Sequence, residues 1–256
     1  MSHLVIHQFP CLNDNYGFLL HSGATGETAA IDTPEAAAIL RELDAQGWTL
    51  THILNTHHHF DHAGGNLELK DKTGCTVIGP RDEAAKIPGL DRAVGDGDEV
   101  AFGGEVARVI GVPGHTAGHI AYHFSGQHLA FVGDTLFALG CGRLFEGTPA
   151  QMWTSLQKLM ALPDETVVYC AHEYTQANAK FALTVEPGNE ALAERARAID
   201  EKRRKGQATV PTTIGLEKAT NPFLRPMSAD LQRGVNLEGA DLVEVFARTR
   251  QLKDSF

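Results

Sequence analysis

Residues 54–65 read LNTHHHFDHAGG, which places four histidines and an aspartate within six consecutive positions and follows them at once with glycines. A purification tag would also give a histidine run, but tags sit at chain ends and this cluster is internal. His57, His59, Asp61 and His62 form the pattern H-x-H-x-D-H. Imidazole and carboxylate are suitable donors for Zn²⁺, Fe and Mn²⁺. The preceding LTHILNT reads as a strand, so the cluster is expected on a loop at a strand's C-terminal end, where a rigid scaffold can aim side chains. On a loop, His57 and His59 alternate and can project to one side, while Asp61 and His62 can meet a second point nearby. His58 lies between the first pair and must point away, into a supporting hydrogen bond or the packing of the loop. Phe60 is the other spacer.

Four ligands cannot fill two metal coordination shells, so a dinuclear site requires further donors downstream. Three are expected at strand ends: His115 in VPGHTAGH, Asp134 in FVGDTLF and His172 in VYCAHEY. His119 shares a loop with His115, but His115 sits tighter against the preceding strand and Gly114, and His119 is expected to open the next strand. A lone histidine is more often packed or solvated than metal-bound. His3, His7, His21, His52, His123 and His128 fall under that reading.

The surrounding pattern is α/β. LVIHQF, YGFLLH and ETAAID are short β-type runs separated by turn residues in PCLNDN and SGATG. TPEAAAILRELDAQG has helix chemistry, with Thr33 expected as N-cap, Pro34 at the first helical position, Glu35 in the first turn and Gly47 as the stop. CTVIG, DEVAF, EVARVIGVPG, HIAYHF and HLAFVGDTLF follow as strands, with SGQ joining the last two as a hairpin. A helix is expected over residues 150–162, then TVVYCAHEY returns as a strand. Beyond it, TQANAKFALTV, NEALAERARAIDEKRRKG and GADLVEVFARTRQLKD are helical, the last two separated by ATVPTTIGLEKATNPFLRP. A boundary near residue 173 therefore divides a mixed α/β domain, 1–172, from a small helical one, 173–256.

Composition excludes several classes. The chain has 256 residues, 43% of them hydrophobic and 21% charged, an ordinary soluble globular balance. No apolar run is long enough to span a bilayer, and MSHLVIHQFP lacks the basic-then-apolar form of a secretory signal. The four cysteines, Cys11, Cys75, Cys141 and Cys170, form no CxxC pair and read as reduced thiols of a cytoplasmic protein. The net charge of −10 argues against nucleic acid as a partner. It also means that any anionic substrate must be gathered by local cations.

Taken in order, THHHFDHAGG, GHTAGH, GDTLF and HEYT resemble the metallo-β-lactamase superfamily. NDNYGFLL, GCGRLFEG and ATNPFLR extend the likeness along essentially the whole chain, and within the superfamily they resemble the glyoxalase II family of hydroxyacylglutathione hydrolases. The resemblance implies an αββα sandwich with the site at one edge, followed by a helical domain that helps hold glutathione. It implies two divalent metal ions, zinc in the first place with iron or manganese as alternatives. His57, His59 and His115 would hold the first metal and Asp61, His62 and His172 the second, with Asp134 bridging. It implies hydrolysis of the thioester S-D-lactoylglutathione, the second step of methylglyoxal detoxification. Separately from the resemblance, the protein is expected to be a monomer with no membrane or nucleic-acid partner.

Thioester hydrolysis needs a nucleophile, a charge sink for the tetrahedral oxyanion and an exit for the thiolate. No Gly-x-Ser-x-Gly elbow is present, and a metal-bridging hydroxide meets the first need, because two cations bring the pKa of water toward neutrality. Two divalent ions, two carboxylates and a hydroxide leave a core charge of roughly +1, which favours the oxyanion and the leaving thiolate. Asp61 and Asp134 are therefore the catalytic carboxylates, and Asp61 could orient the hydroxide or accept its proton. The resemblance assigns Arg143, Phe145, His172, Tyr174, Arg250 and Lys253 to the substrate. The family commonly carries Lys and Tyr where this chain has Arg143 and Phe145. Arginine keeps the charge and gains a bidentate fork, whereas Phe145 lacks the hydroxyl. The plain alternative for Arg250 and Lys253 is a solvated charged face on the last helix.

Rival activities on the same scaffold fit less well. A lactamase is expected to carry a secretory signal, a persulfide dioxygenase needs no complete second metal site, and an RNA nuclease needs basic patches. A lactonase or another thioesterase is the nearest alternative. A non-catalytic metal module has no need for seven donors.

Overall fold

The computed structural model describes residues 4–256. His3, expected to be packed or solvated, lies outside the described residues. The chain gathers into two compact units. One is the stretch that ends at Gly111 together with Thr116–Gly133, and the other is Val112–His115 together with Asp134–Phe256.

In the first unit, β1 (Leu4–Cys11), β2 (Asn15–Ser22) and β3 (Thr28–Ile31) form an antiparallel meander. Helix α1 (Ala36–Gln46) crosses over to β4 (His52–Leu54), which lies parallel to β3. The short α2 (Phe60–Ala63) and α3 (Asn66–Thr73) lead to β5 (Thr76–Pro80) and β6 (Arg92–Val94), again parallel. Parallel neighbours require crossovers of this kind, which put helices on a face of the sheet. Accordingly Ala38, Ile39 and Leu43 of α1 join Leu19, Ile53, Leu69 and Val77 in one buried cluster. Each large aliphatic side chain buried there contributes about 1.5–3 kcal/mol. The strands β7 (Glu99–Phe102), β8 (Glu105–Gly111), β9 (Ile120–Phe124) and β10 (Leu129–Gly133) form an antiparallel series, with the expected hairpin between the last two. Phe18 of β2 meets Phe131 of β10 edge to face at 5.8 Å, so the two sheets pack against each other within this unit.

Gly47 ends α1 in a left-handed conformation, φ 69°, as expected. The start of that helix is a correction. Glu35 is the N-cap, and Thr33 lies outside the helix with its hydroxyl donating to Asn66 Oδ1 at 2.7 Å. Its backbone nitrogen donates to the carbonyl of His62 at 2.8 Å. The cap candidate has been recruited to hold the histidine segment. A second correction concerns that segment itself: Asp61 and His62 lie on α2, not on an open loop.

The second unit opens with the hairpin β11 (Leu136–Phe137) and β12 (Gly140–Cys141). HLAFVGDTLF is therefore not one strand, because the chain breaks at Gly133, whose φ of 48° leaves the extended region. Helix α4 (Pro149–Met160) begins at Thr148, which makes a reciprocal capping box with Gln151. β13 (Val167–Cys170), α5 (Thr175–Val185) and α6 (Glu190–Arg204) follow as the patterning indicates. The intervening ATVPTTIGLEKATNPFLRP is more ordered than its composition suggests. It supplies β14 (Thr212–Thr213), paired with β13, and α7 (Ile214–Thr220). α8 (Ala229–Gly234) and α9 (Leu242–Asp254) complete the unit. Among the described residues, no helix is long and apolar enough to cross a membrane.

Candidate metal centre

Four of the seven expected donors, His57, His59, Asp61 and His62, lie in the first unit, where β4 ends and α2 begins. His57 Nε2 and His59 Nδ1 are 3.1 Å apart, so the alternating pair aims two ring nitrogens at one point. Their spacer behaves differently. His58 Nδ1 and its backbone nitrogen both donate to Glu83 Oε2, at 2.9 and 2.8 Å, and the other oxygen of Glu83 accepts from Gly118 N at 2.8 Å. Glu83 is only 2% exposed. His58 is thus turned away from its two neighbours by a buried carboxylate, the supporting hydrogen bond that the alternation calls for.

A second buried carboxylate sets the remaining rings. Asp32 follows β3 in a left-handed conformation, φ 57°, which a non-glycine residue adopts only when its surroundings hold it there. It accepts from Thr56 N and Thr56 Oγ1, each at 2.7 Å, and from His62 Nδ1 at 2.8 Å. Because the Thr56 hydroxyl gives its hydrogen to Asp32, its oxygen accepts from His57 Nδ1 at 3.0 Å. His57 and His62 therefore carry their protons on Nδ1 and present Nε2 as a lone pair. Asp61 is held from another side, since Asn15 Nδ2 donates to its Oδ2 at 3.1 Å.

The other three donors, His115, Asp134 and His172, lie in the second unit. His115 Nδ1 donates to the Arg143 carbonyl at 2.9 Å, which again leaves Nε2 as the lone pair. That Nε2 faces Asp134 Oδ2 at 3.4 Å, and His172 Nε2 faces Asp134 Oδ1 at 3.4 Å. One carboxylate thus offers each oxygen to a different imidazole. All three residues are buried, at 4%, 6% and 3% exposure.

This chemistry fits divalent cations. A neutral imidazole lone pair turned toward a buried carboxylate oxygen is acceptor against acceptor, repulsive unless positive charge lies between them. Rings tethered through Nδ1 to a carboxylate or carbonyl are also how proteins fix metal-binding histidines. In the first unit Asp32, His57 and His62 bring candidate donor atoms within 4.8 Å of one another. Both Asp32 oxygens are occupied by Thr56 and His62, which makes it a support for the rings.

The residues assigned to substrate all fall in the second unit. Tyr174 stacks face to face on His172 at 4.7 Å, and Phe145 meets His115 edge to face at 5.2 Å while remaining 63% exposed. The side chain of Arg143 is 65% exposed, with Nε 3.9 Å from Asp254 Oδ1. Arg250 is not on a solvated face, since it is 5% exposed. Its Nη1 donates to the Cys141 carbonyl at 2.9 Å, its Nη2 pairs with Asp254 at 2.8 Å, and its guanidinium covers the Phe223 ring. Lys253 packs over Phe181 and Phe256. Burial, then the nearby charges of Arg250 and Arg143, hold its ammonium below the usual lysine range. A cavity of about 530 Å³ adjoins this cluster, lined in part by Leu144, Arg248, Arg250 and Asp254.

Asp32, Glu83 and Asn15 support the candidate donors, and none of them was given a role in the sequence reading. Asp32 ends an apolar run and Glu83 sits in the charged RDEAAK, so both look like surface residues. Asn15 lies in NDNYGFLL, which carried a likeness but no role.

Comparison with known proteins adds three findings. Residues 23–172 match the metallo-beta-lactamase superfamily, and residues 173–256 match the family described as hydroxyacylglutathione hydrolase C-terminus. The chain is 57% identical to a hydroxyacylglutathione hydrolase of Maricaulis maris over 100% of both chains, and 56% identical to one of Methylococcus capsulatus over 99% of each. Among solved structures, ETHE1 from Myxococcus xanthus superposes with a TM-score of 0.67 at 28% identity, covering 98% of this chain and 100% of that one.

Proposed function

We infer the chemistry from the premise that this chain belongs to the hydroxyacylglutathione hydrolase family of the metallo-β-lactamase superfamily. It is a metal-dependent hydrolase that cleaves S-D-lactoylglutathione and related S-2-hydroxyacylglutathiones, with water, into glutathione and a 2-hydroxy acid. The relatives at 57% and 56% identity carry that reading across the whole chain.

The proposed ligand set is His57, His59 and His115 for one metal and Asp61, His62 and His172 for the other, with Asp134 shared. The observation that supports it best is Asp134, each of whose oxygens lies 3.4 Å from the Nε2 of a different histidine. When bound, two divalent cations lower the pKa of water and polarise the thioester carbonyl. Zinc suits the imidazole-rich donors, and iron or manganese would also be accepted.

The chain's own residues do the rest. Asp32 fixes the tautomers of His57 and His62, and Asn15 steadies Asp61, placed to orient water and take its proton. Arg143, Arg250 and Lys253 gather positive charge in an otherwise acidic protein, suiting them to the two carboxylates of the tripeptide. The flat face of Tyr174 offers an apolar contact beside His172. Residues 1–172 would act as the catalytic part and 173–256 as the glutathione-binding part of a cytoplasmic monomer.

Metal counting tests the ligand set. Zinc-loaded protein should hold two ions per chain, and Asp134→Ala should lose metal together with thioester turnover. Two ions retained in Asp134→Ala would exclude its bridging role.

A further inference from the structure

Asp134 runs at once into the β11–β12 hairpin, whose apex, Leu139, is fully buried in a left-handed conformation with φ 59°. Such a backbone is unfavourable for leucine by about 1–2 kcal/mol and has to be held from outside. The hold is unusually complete. Asn221 Nδ2 donates to the carbonyls of Phe137 and Gly140 at 3.1 and 3.0 Å. Glu217 Oε2 accepts from Leu139 N and from Asn221 Nδ2, both at 2.9 Å. Asn178 Nδ2 donates to the Ala138 carbonyl at 3.1 Å, and Arg250 Nη1 to the Cys141 carbonyl at 2.9 Å. Each residue from Phe137 to Cys141 thus has a backbone group bonded to a side chain of the helical segment. Those four side chains are themselves buried, with Glu217 and Asn221 at 0% and Asn178 and Arg250 at 5% exposure.

The hairpin passes its register to two of the proposed metal ligands. Gly142 N closes onto the Thr135 carbonyl at 3.2 Å, next to Asp134. A side chain at Gly142 would run into the Asp134 carbonyl oxygen and come within 3.0 Å of His115 Nδ1, so the chain has no slack there. Arg143, one residue on, supplies the carbonyl that orients His115.

We propose that Glu217 and Asn221 are positioning residues for Asp134 and His115, acting through the hairpin. This rests on reading Asp134 and His115 as metal ligands. The segment ATNPFLR then has a mechanical role: it locks the turn on which the bridging carboxylate depends. Arg250 shares in it, because its contact with Cys141 grips the same hairpin from α9.

The test is metal affinity, measured by competition with a chromogenic chelator, together with the absorption spectrum of the cobalt-substituted enzyme. Asn221→Asp turns an amide donor facing two carbonyls into an acceptor. It should weaken metal binding on the order of 10-fold or more, alter the cobalt spectrum and lower kcat, while KM for the thioester stays within about two-fold. Asn178→Ala removes one hairpin contact and should shift the same readouts less, and it decides the matter if Asn221→Asp does not fold. Glu186→Gln is the control. It disturbs an equally buried carboxylate of the helical segment, bonded to Arg225 and Ser228 and not to the hairpin. It should lower Tm and leave metal affinity alone. Wild-type metal affinity and cobalt spectrum in both asparagine variants would overturn the proposal, as would equal metal loss in Glu186→Gln. If Asp134→Ala still loses metal in that case, the ligand reading stands and only the positioning role falls.

Discussion

Asp32→Asn probes the support beneath the first-unit histidines. The carboxylate accepts three hydrogen bonds, at 2.7, 2.7 and 2.8 Å, and is 5% exposed. Asparagine is nearly isosteric and tolerates the positive φ of 57°, so the backbone should stay where it is. It offers only one acceptor oxygen, however, and its amide hydrogens face Thr56 or His62. One or two charge-assisted bonds are lost at about 1.5–3 kcal/mol each, so metal-free Asp32→Asn should unfold about 1.5–6 kcal/mol more easily. The metal effect is separate. His57 and His62 lose the partner that keeps their protons on Nδ1, and affinity should fall about 10–100-fold, the usual scale for a residue behind a ligand. Urea unfolding of metal-free protein reads the first quantity and chelator competition the second. Metal affinity within about two-fold of wild type in the folded variant would refute the reasoning, because it would mean the ring tautomers do not depend on Asp32.

Other expectations follow from single contacts. His58→Ala removes the 2.9 Å bond to Glu83 and should cost about 1–3 kcal/mol of stability yet retain both metals, whereas His57→Ala or His59→Ala should lose metal; elemental analysis of the three variants separates spacer from ligand. Burial raises all four thiols, Cys11 and Cys170 to about 12 and Cys141 to about 11, with Cys75 also shifted up. An aromatic disulfide reagent at neutral pH should therefore label none in the folded protein and four after denaturation. Lys253 loses its proton below the usual lysine range, chiefly through burial. If its ammonium binds a glutathione carboxylate, KM should rise with pH before that range is reached, and Lys253→Met should start from a higher KM and lack the rise. A rise of equal size in both proteins would remove Lys253 from the substrate contacts.

The placement of the candidate donors was partly legible in the sequence, since His57 and His59 follow β4, Asp134 follows β10 and His172 follows β13, whereas Asp61 and His62 fall on α2. The alternation of His57 and His59 around His58 sends the spacer away from both. What it meets, Glu83, comes from a segment 25 residues downstream that carries no local mark of burial. The same applies to Asp32, whose role depends on β3 lying parallel to β4 so that strand-end residues become neighbours. Thr33 shows local chemistry overridden by tertiary contact. It has the makings of an N-cap, but its hydroxyl is worth more bonded to Asn66 beneath the histidine segment. Arg250 was readable as a cation on the last helix, yet its burial against Cys141 and Phe223 depends on packing that helical periodicity alone does not specify.

The central claim is tested most directly by following the ultraviolet thioester band of S-D-lactoylglutathione with purified protein carrying two metal ions per chain. We expect the band to disappear catalytically, with one free thiol released for each thioester lost, and to persist when the metals are removed by chelation. An undiminished band in the presence of fully metal-loaded protein would contradict the assignment.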